Sequence, residues 1–217
     1  MSVTTHRFDD AARAAVYRAI DTRRDVRHFI DEPLAPEVLQ RLLAAAHAAP
    51  SVGLSQPWAF IHITDAALRQ QIHHLVEVER RRTAEALGAR EDEFLRLKVE
   101  GVRECAELLV VAVRDGGTQE IFGRRTLPQM SLASAACAIQ NLWLAARAEG
   151  VGVGWVSMFD PQALATLLAL PDDLGPIAVL CVGATADFHD QPQLEIDGWR
   201  QARPLSDFVH VNRWSAP

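Results

Sequence analysis

Residues 131–149 constrain the fold most, because they read as a helix that is apolar around most of its circumference. Leu132, Ala136, Ile139, Trp143 and Ala146 mark one face at helical spacing, and Gly150 closes the C-terminal end. Ala135, Cys137, Ala138, Leu142, Leu144 and Ala145 make the remaining sides nearly as apolar. Such a helix has to be covered on most of its surface, either at the centre of its own domain or by a partner subunit. A chain of 217 residues can build a sizeable core as one domain, spanning 1–217, so both arrangements are open.

The rest of the chain reads as helices alternating with apolar strands. Asp9 and Asp10 can cap a first helix through about Thr22, with Ala12, Ala15, Val16 and Ile20 along one side. Pro36 opens a second, with Val38, Leu39, Leu42, Leu43 and Ala46 as its stripe. Strands are expected over 58–64, 108–113, 151–158 and 177–182, and a helix after Pro161 to about Leu170. Asp65 caps a long polar helical region, rich in Arg, Glu and His, that breaks at Gly88. A loop runs from Gly116 to Pro128, long enough to be functional. Beyond Asp187 regularity fades, yet Trp199, Leu205, Phe208, Val209 and Trp214 argue for a docked arm over about 187–217. The order of elements predicts an α/β or α+β layered domain around a mainly buried sheet.

The net charge of −6 argues against an extended nucleic-acid surface, which needs clustered excess Lys and Arg. No run is long enough to span a bilayer, so no membrane role is expected. Cys105, Cys137 and Cys181 lie in apolar segments without ligand spacing and read as buried packing residues of a reducing compartment. With no signal-peptide layout at the N-terminus, the cytoplasm is the expected location.

Against this acidic background Arg23, Arg24 and Arg27 stand out as a local anion grip. Asp25 in their midst repels an anion unless it has another task. On a helix Arg23 and Arg27 share a face and Asp25 turns away, whereas an extended run puts all three on one side. A surface salt-bridge cluster at a helix end is the plain alternative. Flanking guanidiniums are expected to keep Asp25 ionised, as suits a general base.

Two further segments pair with this one. Residues 50–58, PSVGLSQPW, form a turn whose small residues let backbone amides approach a planar ligand, or an ordinary helix-to-strand connection. Gly152 and Gly154 follow a helix and lead into a strand, so they are no dinucleotide fingerprint, which sits between strand and helix. They instead allow a ligand or backbone to come close, with Ser157 a polar contact at the strand end. His47, His62, His73, His74, His189 and His210 show no metal-ligand spacing, and no metal site is expected. Ser157 lies outside a nucleophile elbow, which leaves a hydrolase triad without support.

Taken together, RRDVRHF at 23–29, PSVGLSQPW at 50–58, LKVEG at 97–101 and QNLWLAARAEGVGVGWVSMF at 140–159 resemble the flavin-dependent nitroreductase superfamily. The resemblance runs from about Arg18 to Leu205 and is closest to the 5,6-dimethylbenzimidazole synthase branch, the BluB type. It implies an α+β nitroreductase-like layered fold, with a mostly antiparallel or mixed central sheet flanked by helices. It also implies an intertwined homodimer with FMN bound at the interface and terminal arms around the partner. Arg23 and Arg203 would then meet the phosphate and Arg27 the flavin ring. Arg24, Asp25, Val26 and Gly154 would border the flavin, Ser51 would line the ring from the other subunit, and Leu97 and Lys98 would cover it. Asp25 and Leu54 depart from the Ser and Asn usual in ordinary nitroreductases, and both departures agree with the synthase branch.

That branch takes reduced FMN as a substrate, with O2, and cuts it into 5,6-dimethylbenzimidazole, the lower ligand of cobalamin, and erythrose 4-phosphate. Asp25 would move protons at the ribityl carbon that enters the new ring, and Ser157 would orient the ring edge. NAD(P)H would enter only indirectly, through a separate flavin reductase. The alternatives are an NAD(P)H-dependent nitroreductase or dehalogenase that recycles its flavin, and a non-catalytic flavin-storage protein. Closure of residues 77–100 as a lid is left open.

Overall fold

The computed structural model describes residues 6–114 and 122–214, so the loop read over 116–128 falls partly outside them. Four strands form one sheet in the order β1-β2-β4-β3, with β1 at Trp58–Ile63, β2 at Glu107–Arg114, β3 at Gly152–Val156 and β4 at Leu174–Gly183. All three pairings are antiparallel, which settles the layered domain as α+β. The two central strands carry continuous apolar runs because the sheet is covered on both faces.

Alternation along those strands sorts the core into two layers. Leu109 and Val111 of β2 and Ala178, Leu180 and Val182 of β4 face helices α2 (Pro36–His47) and α5 (Met130–Ala148). Leu108, Val110, Val179 and Cys181 face the other way, toward α3 (Ala66–Leu87) and α6 (Pro161–Leu167). The caps are those the sequence supplies. Asp9 accepts from the Ala12 amide at 2.7 Å at the start of α1 (Asp10–Thr22), Asp65 from Leu68 at 2.7 Å, and Asp160 from Ala163 at 2.8 Å. Gly88, at φ 55°, ends α3 in the left-handed region, and a short α4 (Glu91–Leu95) follows.

Four expectations change. The buried face of α5 is Ser131, Ser134, Ala135, Ala138, Ile139, Leu142, Trp143 and Ala146, while Leu132 is 49% exposed. Leu132 and Ala136 therefore lie beyond the edge of the face that α2 and the sheet cover. Cys137 is exposed as well, and only Cys105 and Cys181 are buried packing residues. No residue of α1 is buried, and Val16, Tyr17 and Ile20 face outward. The terminal arm is tied to the body by the bonds of Arg24 to residues 189 and 190 and by Trp199 on Phe94, but Leu194, Ile196, Leu205, Phe208, Val209, Val211 and Trp214 remain exposed. The α5 edge at Leu132, the apolar residues of α1 and those of the tail are thus left exposed by the described residues of this chain.

Candidate functional site

The Arg23-to-Arg27 segment is extended, which realises the geometry that puts Arg23, Asp25 and Arg27 on one side. A parallel bridge joins Asp25 to Val153, and the Val26 amide donates to the Val153 carbonyl at 3.0 Å. The segment therefore lies along β3 as an added strand piece. This close approach is what Gly152 and Gly154 make possible. A Cβ on Gly154 would stand 2.3 Å from the Val26 carbonyl oxygen, and one on Gly152 would stand 3.0 Å from a Val26 methyl. Gly154 and Val26 thus support the segment that carries Arg23, Asp25 and Arg27, and neither lines the cavity that this segment borders.

Asp25 is held by charge-assisted contacts. One carboxylate oxygen accepts from the Trp155 amide at 3.0 Å, and the other is paired with Arg27. Arg27 also donates to the Trp155 carbonyl at 2.9 Å, and its second terminal nitrogen, Nη1, has no acceptor among the described residues. Arg23 lies 4.6 Å above the Trp143 ring, a cation–π contact that fixes the guanidinium while leaving its donors for an anion. Burial lowers the Arg23 pKa, a cost opposed by Asp25, yet an arginine starts so high that it keeps its charge.

Arg24 takes a different part. It donates to the carbonyls of Asp21 and Arg23 at 2.9 and 2.7 Å, to His189 at 2.7 Å, and to Asp190. Its guanidinium is spent on backbone, so it borders the cavity as the tie that docks the C-terminal segment, not as a grip on a ligand.

The expectation that the arginines dominate the Asp25 equilibrium is also corrected. Its side chain is 41% accessible where it opens on the cavity, but it is packed closely elsewhere. Desolvation by that packing raises its pKa and outweighs Arg27, the Trp155 amide and Arg23, which all lower it. A carboxylate raised in this way is a stronger proton acceptor than an ordinary one.

These groups form the polar floor of a cavity of about 370 Å³. Its apolar walls come from Phe94, Leu97 and Met158, with Leu194 on α7 (Gln193–Ile196) and Trp199 just beyond it. Lys98 and Ser157 also border it, as expected, and Ser157 is exposed. The wall is closed by Trp199, which packs against Phe94 with ring centres 6.0 Å apart and carries Arg90 at 3.6 Å over its face. Cations at one end and apolar walls at the other suit a phosphorylated planar ligand. A larger groove of about 830 Å³ between α3 and α6 has no Lys or Arg in its lining and so offers an anion nothing.

Ser51 and Arg203 do not border this cavity. The Ser51 hydroxyl accepts from the Gln56 amide at 3.0 Å, and the adjoining Val52 amide donates to Ser134 at 3.1 Å. This pins a loop in which Leu54 and Gln56 take φ of 57° and 45°, left-handed values costly for residues with a Cβ. Leu54 is 80% exposed there, presented outward. Arg203 pairs with Asp207 at 3.0 Å and stacks on Phe208 within the terminal arm. The sequence reading missed Phe94, Leu194 and Trp199, whose only local signal was apolar residues in otherwise polar surroundings. It also missed that His73 and Glu77, four apart on α3, converge with Glu100.

The fold agrees with comparison to known proteins. The nitroreductase family pattern matches residues 20–184, and the chain belongs to that family. It is 41% identical over 202 residues to the 5,6-dimethylbenzimidazole synthase of Rhodospirillum rubrum, an alignment covering 91% of this chain and 94% of the relative. It is 36% identical to a 5,6-dimethylbenzimidazole synthase of Rhodobacter capsulatus, covering 91% of this chain and 96% of that one. A BluB-like flavoprotein from Clostridium difficile 630 shares the fold with a TM-score of 0.71 at 17% identity, covering 91% of this chain and 99% of the other.

Proposed function

We propose that this protein is a 5,6-dimethylbenzimidazole synthase, which cuts reduced FMN with O2 into 5,6-dimethylbenzimidazole and D-erythrose 4-phosphate. The observation that carries the reading is Asp25: a carboxylate with a raised pKa set between Arg23 and Arg27, in a chain 41% identical to such a synthase along nearly its whole length. The product serves as the lower ligand of cobalamin.

The cavity fits the substrate. Arg23, stacked on Trp143 with free donors, would take the phosphate, and Arg27, with an unused Nη1, the ring edge. Leu97, Met158 and Trp199 offer apolar surface to the ring. Reduced FMN supplies the electrons for O2 and the ribityl carbon that is built into the new ring. Asp25, fixed by Trp155 and Arg27, takes a proton from that carbon, and its raised pKa strengthens it as a base. Ser157, at the end of β3, orients the ring edge.

A second copy of the chain completes the site. The exposed Val16, Tyr17, Ile20 and Leu132 and the tail residues Phe208, Val211 and Trp214 form apolar surface of the kind buried between subunits. The loop presenting Leu54, together with Ser51, then faces the partner's flavin, and Arg203 reaches its phosphate. A separate flavin reductase, drawing on NAD(P)H, supplies reduced FMN.

The direct test mixes the purified protein with chemically reduced FMN, admits air and measures 5,6-dimethylbenzimidazole by mass spectrometry. Consumption of one flavin per product is expected. Flavin that survives repeated cycles of NAD(P)H oxidation would overturn the reading.

A further inference from the structure

Outside the flavin cavity, one cluster has the ligand set of a metal site. His73 and Glu77 stand four residues apart on α3 and so share a face. Glu100, from the segment between α4 and β2, meets them there. One ligand-type atom from each of the three lies within 4.8 Å of the other two.

One spacing is close to that of two ligands sharing an ion, although it also suits a direct His–Glu ion pair. His73 Nε2 and Glu100 Oε1 are 3.7 Å apart, beyond hydrogen-bond range. Bonds of ~2.0–2.2 Å at tetrahedral angles place two zinc ligands ~3.3–3.6 Å from each other. The other Glu100 oxygen accepts from the Val102 amide at 2.6 Å, which fixes the carboxylate with Oε1 turned to the imidazole.

The surroundings give access and set the charge balance. A cavity of about 210 Å³, lined by Glu77, Lys98 and Glu100 among others, adjoins the cluster and has room for water ligands. Among the neighbouring cations, Lys98 is paired with Glu104 at 2.9 Å. Arg80 lies 3.5 Å from one Glu77 oxygen and donates to the carbonyls of Leu95 and Leu97 at 2.6 and 3.2 Å, and Arg96 borders the same cavity. Arg80 is thus near one Glu77 oxygen, and a carboxylate has a second with which to meet an ion beside Glu100 Oε1 and the imidazole.

We propose that His73, Glu77 and Glu100 bind one divalent transition ion, Zn2+ being the best match for one imidazole and two carboxylates, with water completing the shell. Because Leu97, Lys98 and Val99 border the flavin cavity just before Glu100, the ion pins that wall to α3. This second part rests on the flavin reading above, whereas the ion site does not.

The test uses tag-free full-length protein, stripped with chelator, in a Cys137→Ser background that removes the exposed thiol as a competing ligand. Calorimetric titration with Zn2+ should give one site per chain. His73→Ala and the isosteric Glu77→Gln should each weaken it at least about tenfold, with far-UV circular dichroism unchanged. No zinc binding by the folded parent, or equal binding by both folded variants, overturns the site. FMN should bind more tightly with zinc present. Zinc bound at this site with no change in FMN affinity overturns the pinning and leaves the ion site standing. Zinc stoichiometry is measured without flavin turnover, so failure to form 5,6-dimethylbenzimidazole leaves this result intact.

Discussion

The floor and the far wall of the flavin cavity are built on different principles. The floor, Arg23 to Arg27, is an added strand piece: backbone bonds to β3 fix where Asp25 stands, and two glycines are required to let it in. The wall is made of a five-residue helix, a four-residue helix and a tryptophan stacked between Phe94 and Arg90. Backbone pairing tolerates little displacement, whereas side-chain stacking adapts. On the proposed reading, proton transfer falls to the inflexible half and ligand enclosure to the adaptable one.

Asp25→Asn should break the floor chemically while sparing its geometry, since an amide oxygen still accepts from Trp155. Product formation from reduced FMN should fall ~10²–10⁴-fold with FMN binding retained, measured by mass spectrometry and flavin titration. In the unaltered enzyme the same group should make the rate fall as pH drops through the raised Asp25 pKa, above the usual carboxylate value of 3.8.

Gly154→Ala should break the floor mechanically. A methyl 2.3 Å from a carbonyl oxygen forces the segment off β3, so a loss toward the upper end of ~1–3 kcal/mol is expected by chemical denaturation, together with weakened FMN binding. On the wall, Trp199→Ala should weaken FMN binding only about three- to tenfold and leave Asp25 chemistry at saturating FMN nearly unchanged. An effect on turnover as large as that of Asp25→Asn would erase the distinction between the two halves.

The smallest effect is a stability term. The folded pKa of Asp25 is raised, so the folded state holds its proton more tightly than the unfolded chain. The resulting stabilisation is complete below 3.8 and disappears as pH rises through the folded value. Denaturation midpoints of wild type relative to Asp25→Asn should fall over that window and run parallel above it.

Most of the fold was legible because its signals are local. Caps at Asp9 and Asp65, Pro36 and Pro161 at helix starts, Gly88 at a helix end and apolar strand runs each act within a few residues. The site was legible to the extent that period-two alternation in an extended segment aligned Arg23, Asp25 and Arg27. What escaped depends on contacts across the chain. Nothing near Arg24 announces that its guanidinium is committed to carbonyls at 189 and 190. The phase of the α5 face, the exposure of Cys137 and the place of Trp199 are set by which neighbours pack against them. The balance at Asp25 escaped for a related reason, since charge is written in the sequence but desolvation is a property of the packed surround.

The bridge from Asp25 to Val153 also gives the site a reading frame. Because alternate residues of the added piece face opposite ways, sliding it by one position along β3 would exchange the whole set at once. Val26 and His28 would join Arg24, now only at the cavity's border, in facing the cavity, and Arg23, Asp25 and Arg27 would be turned into the packing against β3. A one-residue insertion or deletion between Thr22 and Asp25 is thus no graded perturbation but a change of message, from cation–acid–cation to cation–valine–imidazole. The Val26 methyls seated over Gly152 are the punctuation that keeps the frame.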